Sequence, residues 1–271
     1  MSPPQSGTEP LKRIAIFAAT PWEMGAVEAA FPSGVARQID RVAVSVCTAG
    51  RREYWLARTG VGLEKASQAA SRLFSHQAFA LAVSTGFACA LIEAEIGSLL
   101  IGRDVVLAET QGSDNARAIE VPGLEREAVL ALLDGAVPPN HVGRFASTDR
   151  IVGSASEKKR LARATGAIGL DMESTALAIA AQRARVPFVI VRAVSDLLDE
   201  DLPLDFNHFL RPTGWLKGIG ALLGAPSSLL SLGRLRRQSL TAAKNLTAFF
   251  QRYAAVMATE GTRESTFMGR T

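Results

Sequence analysis

Three acidic residues, Glu23, Glu173 and Asp196, stand where the chain leaves an apolar run or enters a helix. Asp196 ends the run VIVRAVSD, and Glu173 lies between Met172 and an apolar helix. A carboxylate beside buried residues is costly unless it has partners or a task. Each therefore has two interpretations: proton transfer or binding of polar groups, or a structural role at a helix start or turn.

Apolar, β-branched runs alternate with segments of helical periodicity along most of the chain. This alternation predicts an α/β fold with a largely parallel or mixed sheet. Ligands of such sheets gather at the carboxyl ends of strands, where Glu173, Asp196 and a loop at Thr85–Gly86 would meet. The predicted strands are 13–19, 42–49, 53–59, 79–84, 98–108, 144–147 and 187–194, and the predicted helices are 22–31, 63–76, 156–165 and 174–184.

Composition excludes several classes of protein. With 48% hydrophobic and 21% charged residues, the 271-residue chain has the make-up of a folded domain. Its two cysteines and three histidines show no metal-ligand spacing, so we expect no metal and no cofactor. The polar N-terminus has no secretory pattern, and the apolar run 78–92 is too short to span a bilayer. These features predict a cytoplasmic protein.

Positive charge is concentrated near the C-terminus. Seven of the 30 Lys and Arg residues lie between Phe206 and Thr259, where no Asp or Glu occurs. The rest of the chain contains 23 Lys and Arg and all 26 Asp and Glu residues. This distribution argues against a nucleic-acid partner. The same segment predicts an amphipathic helix, whose apolar positions are Leu235, Leu240, Ala243, Leu246, Phe250, Tyr253 and Met257. Such a helix could rest on anionic lipid at the inner face of the membrane, cover an apolar substrate, or pack on its own domain or a neighbouring subunit.

Several motifs occur in an order that resembles the nucleoside phosphorylase and methylthioadenosine/S-adenosylhomocysteine nucleosidase superfamily, over residues 13–210. They are RIAIFAATPWE, TGVG, STGFACAL and GLDMESTALAIAAQRARVPFVIVRAVSDLLDEDLPLDFNHFL. The resemblance implies a three-layer αβα fold with a central mixed, partly barrel-like sheet, and a homo-oligomer. It divides the chain into a disordered tail (1–11), a catalytic domain (12–210) and a basic helical extension (211–271).

That resemblance also implies a role for each acidic residue. Asp196 would be the general acid that protonates a purine at N7, and Ser195 would orient it. A free Asp titrates near 3.9, so burial must raise its pKa for this task. Glu173 would hold the ribose hydroxyls above Met172, and Glu23 would position or deprotonate the attacking water.

Further positions follow from the same resemblance. Backbone groups at Ile151 and Val152 would contact the purine edge, and Gly86, Phe87 and Phe206 would lie against the substrate. Arg192 would support the acidic residues without touching the substrate, or would belong to a structural ion pair.

The family contains phosphorolytic and hydrolytic enzymes. Phosphorolysis needs an anion site, commonly arginines after the first strand; here TPWEMGAV follows that strand, and Glu23 would repel phosphate. We therefore expect hydrolysis of a 5′-substituted adenosine such as methylthioadenosine, S-adenosylhomocysteine or adenosylhopane. A phosphorylase and a non-catalytic nucleoside or lipid sensor remain the alternatives.

The chain departs from the family pattern at TGFACA, where typical members have Thr-Gly-Ser-Ala-Gly-Gly. Phe87 takes the place of a serine that would help to place the water, and Cys89 that of a glycine. The C-terminal extension resembles the tails of hopanoid-associated phosphorylase-like proteins, which are linked to removal of adenine from adenosylhopane. Both features point away from a small 5′-substituent.

Overall fold

The computed structural model describes residues 11–31, 33–108, 119–120, 140–202 and 226–268. Ten strands and five helices occur in these ranges. The strands are β1 (Lys12–Ala18), β2 (Val35–Ile39), β3 (Val42–Ala49), β4 (Arg52–Arg58), β5 (Leu81–Ala90), β6 (Leu99–Leu107), β7 (Ile119–Glu120), β8 (Asn140–Ser147), β9 (Ala167–Asp171) and β10 (Phe188–Asp196). The helices are α1 (Pro21–Glu28), α2 (Leu63–His76), α3 (Ala155–Thr165), α4 (Ser174–Ala184) and α5 (Pro226–Met268).

The strands form one mixed sheet in the order β10-β6-β8-β9-β5-β1-β4-β3-β2, and β7 pairs with β6. Strand β10 also pairs in parallel with β5, so β5, β9, β8, β6 and β10 close into a ring. Helix α2 packs against α4, while α1 packs against α5, which also lies on β10 and β5. The predicted αβα architecture with a partly barrel-like mixed sheet is confirmed.

Strand β5 differs from the prediction. We expected it to end at residue 84 and to be followed by a loop at Thr85–Gly86, but the strand continues to Ala90 and pairs with β10 from Ala82 to Cys89. Gly86 makes this possible, because its φ of +132° suits a residue without a side chain. A Cβ there would lie 2.8 Å from Cδ of Glu23. Glycine therefore lets the strand run directly behind an acidic side chain.

Helix α5 is part of the hydrophobic core. Its residues Ala242, Leu246, Phe249, Phe250 and Tyr253 are buried in the same cluster as the sheet residues. Polar contacts support this docking: Thr247 Oγ1 donates to the Ala26 carbonyl at 2.7 Å, and Asn245 donates to that of Gly97 at 3.0 Å.

The apolar side of the predicted amphipathic helix thus packs on its own domain, one of the three alternatives. Leu240, predicted to lie on that side, is instead 47% exposed, because the buried positions run through Ala242 and Phe249. The opposite face carries exposed Arg236, Arg237 and Lys244. Within the described part of the chain, no helix has the length and apolar character of a transmembrane span.

Candidate functional site

A cavity of about 340 Å³ lies at the ends of β1, β5, β9 and β10. Its size falls in the range of small-molecule sites. Eight of the residues predicted from sequence line it: Glu23, Phe87, Ile151, Val152, Met172, Glu173, Ser195 and Asp196. Gly86 lies directly behind it against Glu23, and Phe206 lies outside the described residues.

Glu23 has the structural role at a helix start that its position suggested, and it also borders the cavity. It closes a capping box with Thr20 at the start of α1, accepting from the Thr20 backbone N–H and hydroxyl, each at 2.8 Å. Its other oxygen accepts from the Phe87 backbone N–H at 2.8 Å. The carboxylate is buried and yet borders the cavity, so it is a rigid acceptor there rather than a solvated surface charge.

Glu173 occupies the N-cap position of α4, but its side chain does not cap that helix. Asp171 provides the cap instead, since its Oδ1 accepts from the backbone N–H groups of Glu173 and Ser174 at 3.2 and 3.1 Å. The Glu173 side chain is thereby free to turn to the cavity, where it accepts from the Gly62 backbone N–H at 2.9 Å.

Arg192 joins the acidic residues on this side of the cavity. Its guanidinium is 1% exposed; Nε lies 2.9 Å from Asp171 Oδ2, Nη2 lies 3.5 Å from Glu173 Oε2, and Nη1 lies 4.0 Å from Glu23 Oε1. Arg192 is thus a buried ion-pair partner behind the cavity wall, which fits both interpretations of it.

One guanidinium faces three carboxylates here, and burial is the largest influence on Glu173. Burial raises the pKa of Glu173 to about 7, against the lowering effect of Arg192 and with a smaller raising effect of Asp171 and Glu23. Glu173 therefore changes its ionisation near neutral pH. Such shifts are common at functional sites.

Asp196 also lines the cavity, at the end of β10, where a β-bulge shifts the pairing with β5. The expected alternative was that it caps the following turn, but its side chain instead accepts from the ammonium of Lys158, at 2.8 Å to Oδ1 and 2.7 Å to Oδ2. Burial raises the pKa of Asp196, while Lys158 opposes the shift. The direction is the one that a general acid requires. The orienting role of Ser195 stays a prediction.

Several residues that shape the site were not among the site residues predicted from the sequence. Asp171 and Lys158 hold the acidic groups, Cys89 and Arg150 line the cavity, and Leu235 and Ser239 bring α5 to its wall. A signal for Lys158 was present, because Lys158, Leu161 and Thr165 lie on one face of α3 and Leu161 is apolar. That this helix could cover a substrate was one of the alternatives stated from its amphipathic pattern, but the pattern did not indicate which of its residues reach the cavity.

Comparison with known proteins agrees with this geometry. The model of the family described as "Phosphorylase superfamily" matches residues 13–211. A 5′-methylthioadenosine/S-adenosylhomocysteine nucleosidase of Staphylococcus aureus (strain MRSA252) is 28% identical over 171 residues, which cover 59% of this chain and 75% of that protein.

Solved structures show the same fold. S-adenosylhomocysteine nucleosidase from Streptococcus pyogenes, in complex with 5-methylthiotubericidin, matches with a TM-score of 0.69 and 19% identity, covering 90% of this chain and 98% of that one. Futalosine hydrolase of Helicobacter pylori matches with a TM-score of 0.69 and 17% identity, covering 88% and 97%. Residues 1–210 are only about three quarters of the 271 residues, so both matches extend beyond residue 210. The family match over most of the chain shows that this protein belongs to the phosphorylase superfamily.

Proposed function

We propose that this protein is a nucleosidase that hydrolyses the N-glycosidic bond of a 5′-substituted adenosine and releases adenine. The observation that carries the proposal is that two acidic groups with different cation partners line one cavity. Asp196, whose pKa burial raises, is paired with Lys158, whereas Glu23 and Glu173 share Arg192. The name of the Staphylococcus aureus relative supports an adenosine derivative as substrate.

The steps of the proposed reaction divide between these two acidic groups. Asp196 donates its proton to N7 of the base, the bond from C1′ to N9 breaks, and its electron pair leaves with the purine. Positive charge then develops on the sugar, where the Glu173 carboxylate stabilises it. Glu23 takes a proton from a water molecule as that water attacks C1′. The products are free adenine and a free sugar.

Water is favoured over phosphate because the cations of the site are committed to its own acidic groups. Arg192 is paired with Asp171 and Glu173, Lys158 with Asp196, and Arg150, the basic residue among the described cavity-lining residues, with Glu157. A phosphate ion would also approach the buried carboxylates of Glu23 and Glu173. Like charges within a few ångströms disfavour such binding.

The substituent at the 5′ position is the open part of the proposal. Methylthioadenosine, S-adenosylhomocysteine, inosine, futalosine and adenosylhopane should be incubated with the protein, with and without phosphate, and free base and sugar products separated by chromatography. We expect adenine and a non-phosphorylated sugar without added phosphate. Product that forms only with phosphate would identify a phosphorylase. Binding of these nucleosides without release of any base would indicate a sensor.

Asp196→Asn tests the acid directly, with Asp199→Asn as a matched control. Asp199 lies in the loop after β10, and its side chain is 68% exposed. General acid catalysis contributes roughly 100- to 10,000-fold to a rate, so Asp196→Asn should lower kcat by at least about 100-fold. The control should keep wild-type kcat. Near-full activity of Asp196→Asn would exclude the acid role.

A further inference from the structure

Lys158 is the most completely enclosed charged side chain beside the cavity. It projects from α3 and is 0% exposed, although Lys is rarely buried without a partner. Its ammonium donates to both oxygens of Asp196, and to the backbone carbonyls of Leu197 at 3.0 Å and Glu200 at 2.7 Å. Four acceptors therefore surround a group with three N–H bonds, and two of them belong to the carboxyl group that ends β10.

We propose that Lys158 is a positioning residue for proton transfer, which holds the Asp196 carboxyl group and stabilises the carboxylate that remains after the proton has moved to the base. This inference rests on the proposed nucleosidase function. When the O–H bond of Asp196 breaks and the N7–H bond forms, a negative charge appears on Asp196. The ammonium of Lys158 already lies 2.7 Å from one of its oxygens, so no group has to move to balance that charge.

The other groups that face Asp196 cannot supply this positive charge. Burial keeps the pKa of the Cys89 thiol well above its usual range, so that thiol is neutral at ordinary pH. Glu200, in the loop after β10, raises the pKa of Asp196, and it is itself paired with Arg234 and Gln238 of α5. Arg150 is paired with Glu157 at the start of α3.

Arg192 is the cation partner of the other acidic groups, which are Glu23, Asp171 and Glu173. Among the described residues, the ammonium in contact with Asp196 is therefore that of Lys158.

The contact between Lys158 and Asp196 also limits the pH range in which Asp196 keeps its proton. A positive neighbour favours the ionised acid, so Lys158 keeps the pKa of Asp196 below the value that burial alone would give. Removing the charge should therefore raise the pH at which Asp196 loses its proton. It should also slow proton transfer, because the carboxylate product would be left without its cation.

Lys158→Met tests this, because methionine fills a similar volume without charge. Rates of adenine release should be measured against pH, using the nucleoside that wild-type protein cleaves in the panel above. We expect kcat to fall roughly 10- to 100-fold, as for loss of a charge-assisted hydrogen bond, with a smaller change in KM. The basic limb of the kcat profile should move up by at least about one pH unit.

Lys159→Met is the matched control, since Lys159 is 47% exposed and pairs with Asp199 on the surface. It should keep the wild-type rate and profile. If Lys158→Met does not fold, Lys158→Gln removes the charge but keeps a donor and should show the same shift of the limb. Lys158→Arg should keep the limb at its wild-type position.

A lower kcat with an unmoved limb in the uncharged variants would overturn the inference, because a merely structural lysine would give that result. Absence of cleavage by wild-type protein would instead refute the proposed function. The two failures are therefore distinguishable.

Discussion

The Phe250→Ala variant should unfold at a much lower urea concentration than the wild-type protein, although residue 250 lies beyond the matched family segment. Phe250 is 1% exposed in the main core cluster. Its ring centroid lies 5.0 Å from that of Phe249, 6.1 Å from that of Phe31 and 6.4 Å from that of Tyr253. Phe→Ala at a buried position costs about 3–5 kcal/mol from lost burial and the cavity left behind. That is a large part of a typical stability of roughly 5–15 kcal/mol.

The assay is equilibrium urea unfolding of the full chain, followed by far-UV circular dichroism and tryptophan fluorescence. Leu240→Ala is the control on the same helix, because Leu240 is 47% exposed and its loss should change stability by no more than about 0.5 kcal/mol. The two probes should report one transition if α5 folds with the sheet.

Two results would refute this reasoning. A cost below about 1 kcal/mol for Phe250→Ala would mean that its aromatic contacts with Phe31, Phe249 and Tyr253 contribute little to folding. An early circular dichroism transition without a fluorescence change would mean that α5 separates from an otherwise folded domain. In that case the helix would unfold separately from the catalytic domain that the resemblance placed at residues 12–210.

Three further predictions concern single side chains. Because the pKa of Glu173 in the folded protein is about 7, above its ordinary value of 4.5, the unfolded chain loses this proton first, so the fold loses stability as pH rises from about 4.5 to 7 and loses no more above that. Glu173→Gln should therefore be more stable than wild type at pH 8, by up to about 3 kcal/mol, with a smaller difference at pH 5 in urea unfolding. An equal difference at both pH values would contradict the shift. The buried Tyr54 hydroxyl has no hydrogen-bond partner among the described residues, so Tyr54→Phe should leave the thermal midpoint unchanged or raise it, and a fall of several degrees would reveal a hidden partner. Gly86→Ala should reduce kcat sharply by displacing Glu23, whereas Gly25→Ala, whose Cβ meets nothing within 4 Å, should not; equal kcat in both variants would show that Glu23 need not be held in place.

The strands and the helices packed around the sheet were largely predictable from the sequence. Each of these segments buries one face, and that burial gives its apolar residues a regular spacing. The exception, β5, shows the limit of that argument. Gly86 is a residue type that favours turns, but pairing with β10 continues β5 through Thr85 and Gly86. A local signal was overridden by contacts with residues more than a hundred positions away.

The candidate site was also predictable only in part. Position alone left two interpretations for each of Glu23, Glu173 and Asp196, and the order of motifs that resembles the family singled them out. It did not reveal which cation balances each acid. Lys158 lies in the charged run SEKKR; its helical spacing from apolar Leu161 marks the inner face of α3 but does not identify Asp196, 38 positions further along the chain, as its partner. Long-range charge pairing was therefore the part that local patterns could not supply.

The arrangement of cations suits the different tasks that the proposed reaction gives to Asp196 and to Glu173. Asp196 has a single ammonium that contacts both of its oxygens, so its carboxylate form is stabilised as soon as its proton leaves. Glu173 shares one guanidinium with Asp171 and Glu23, so its negative charge is only partly balanced and remains available to a developing positive charge on a sugar. An incoming phosphate would meet that same excess of negative charge. In the proposed reaction, the same negative charge that would stabilise a cationic sugar would therefore also favour water over phosphate as the attacking group.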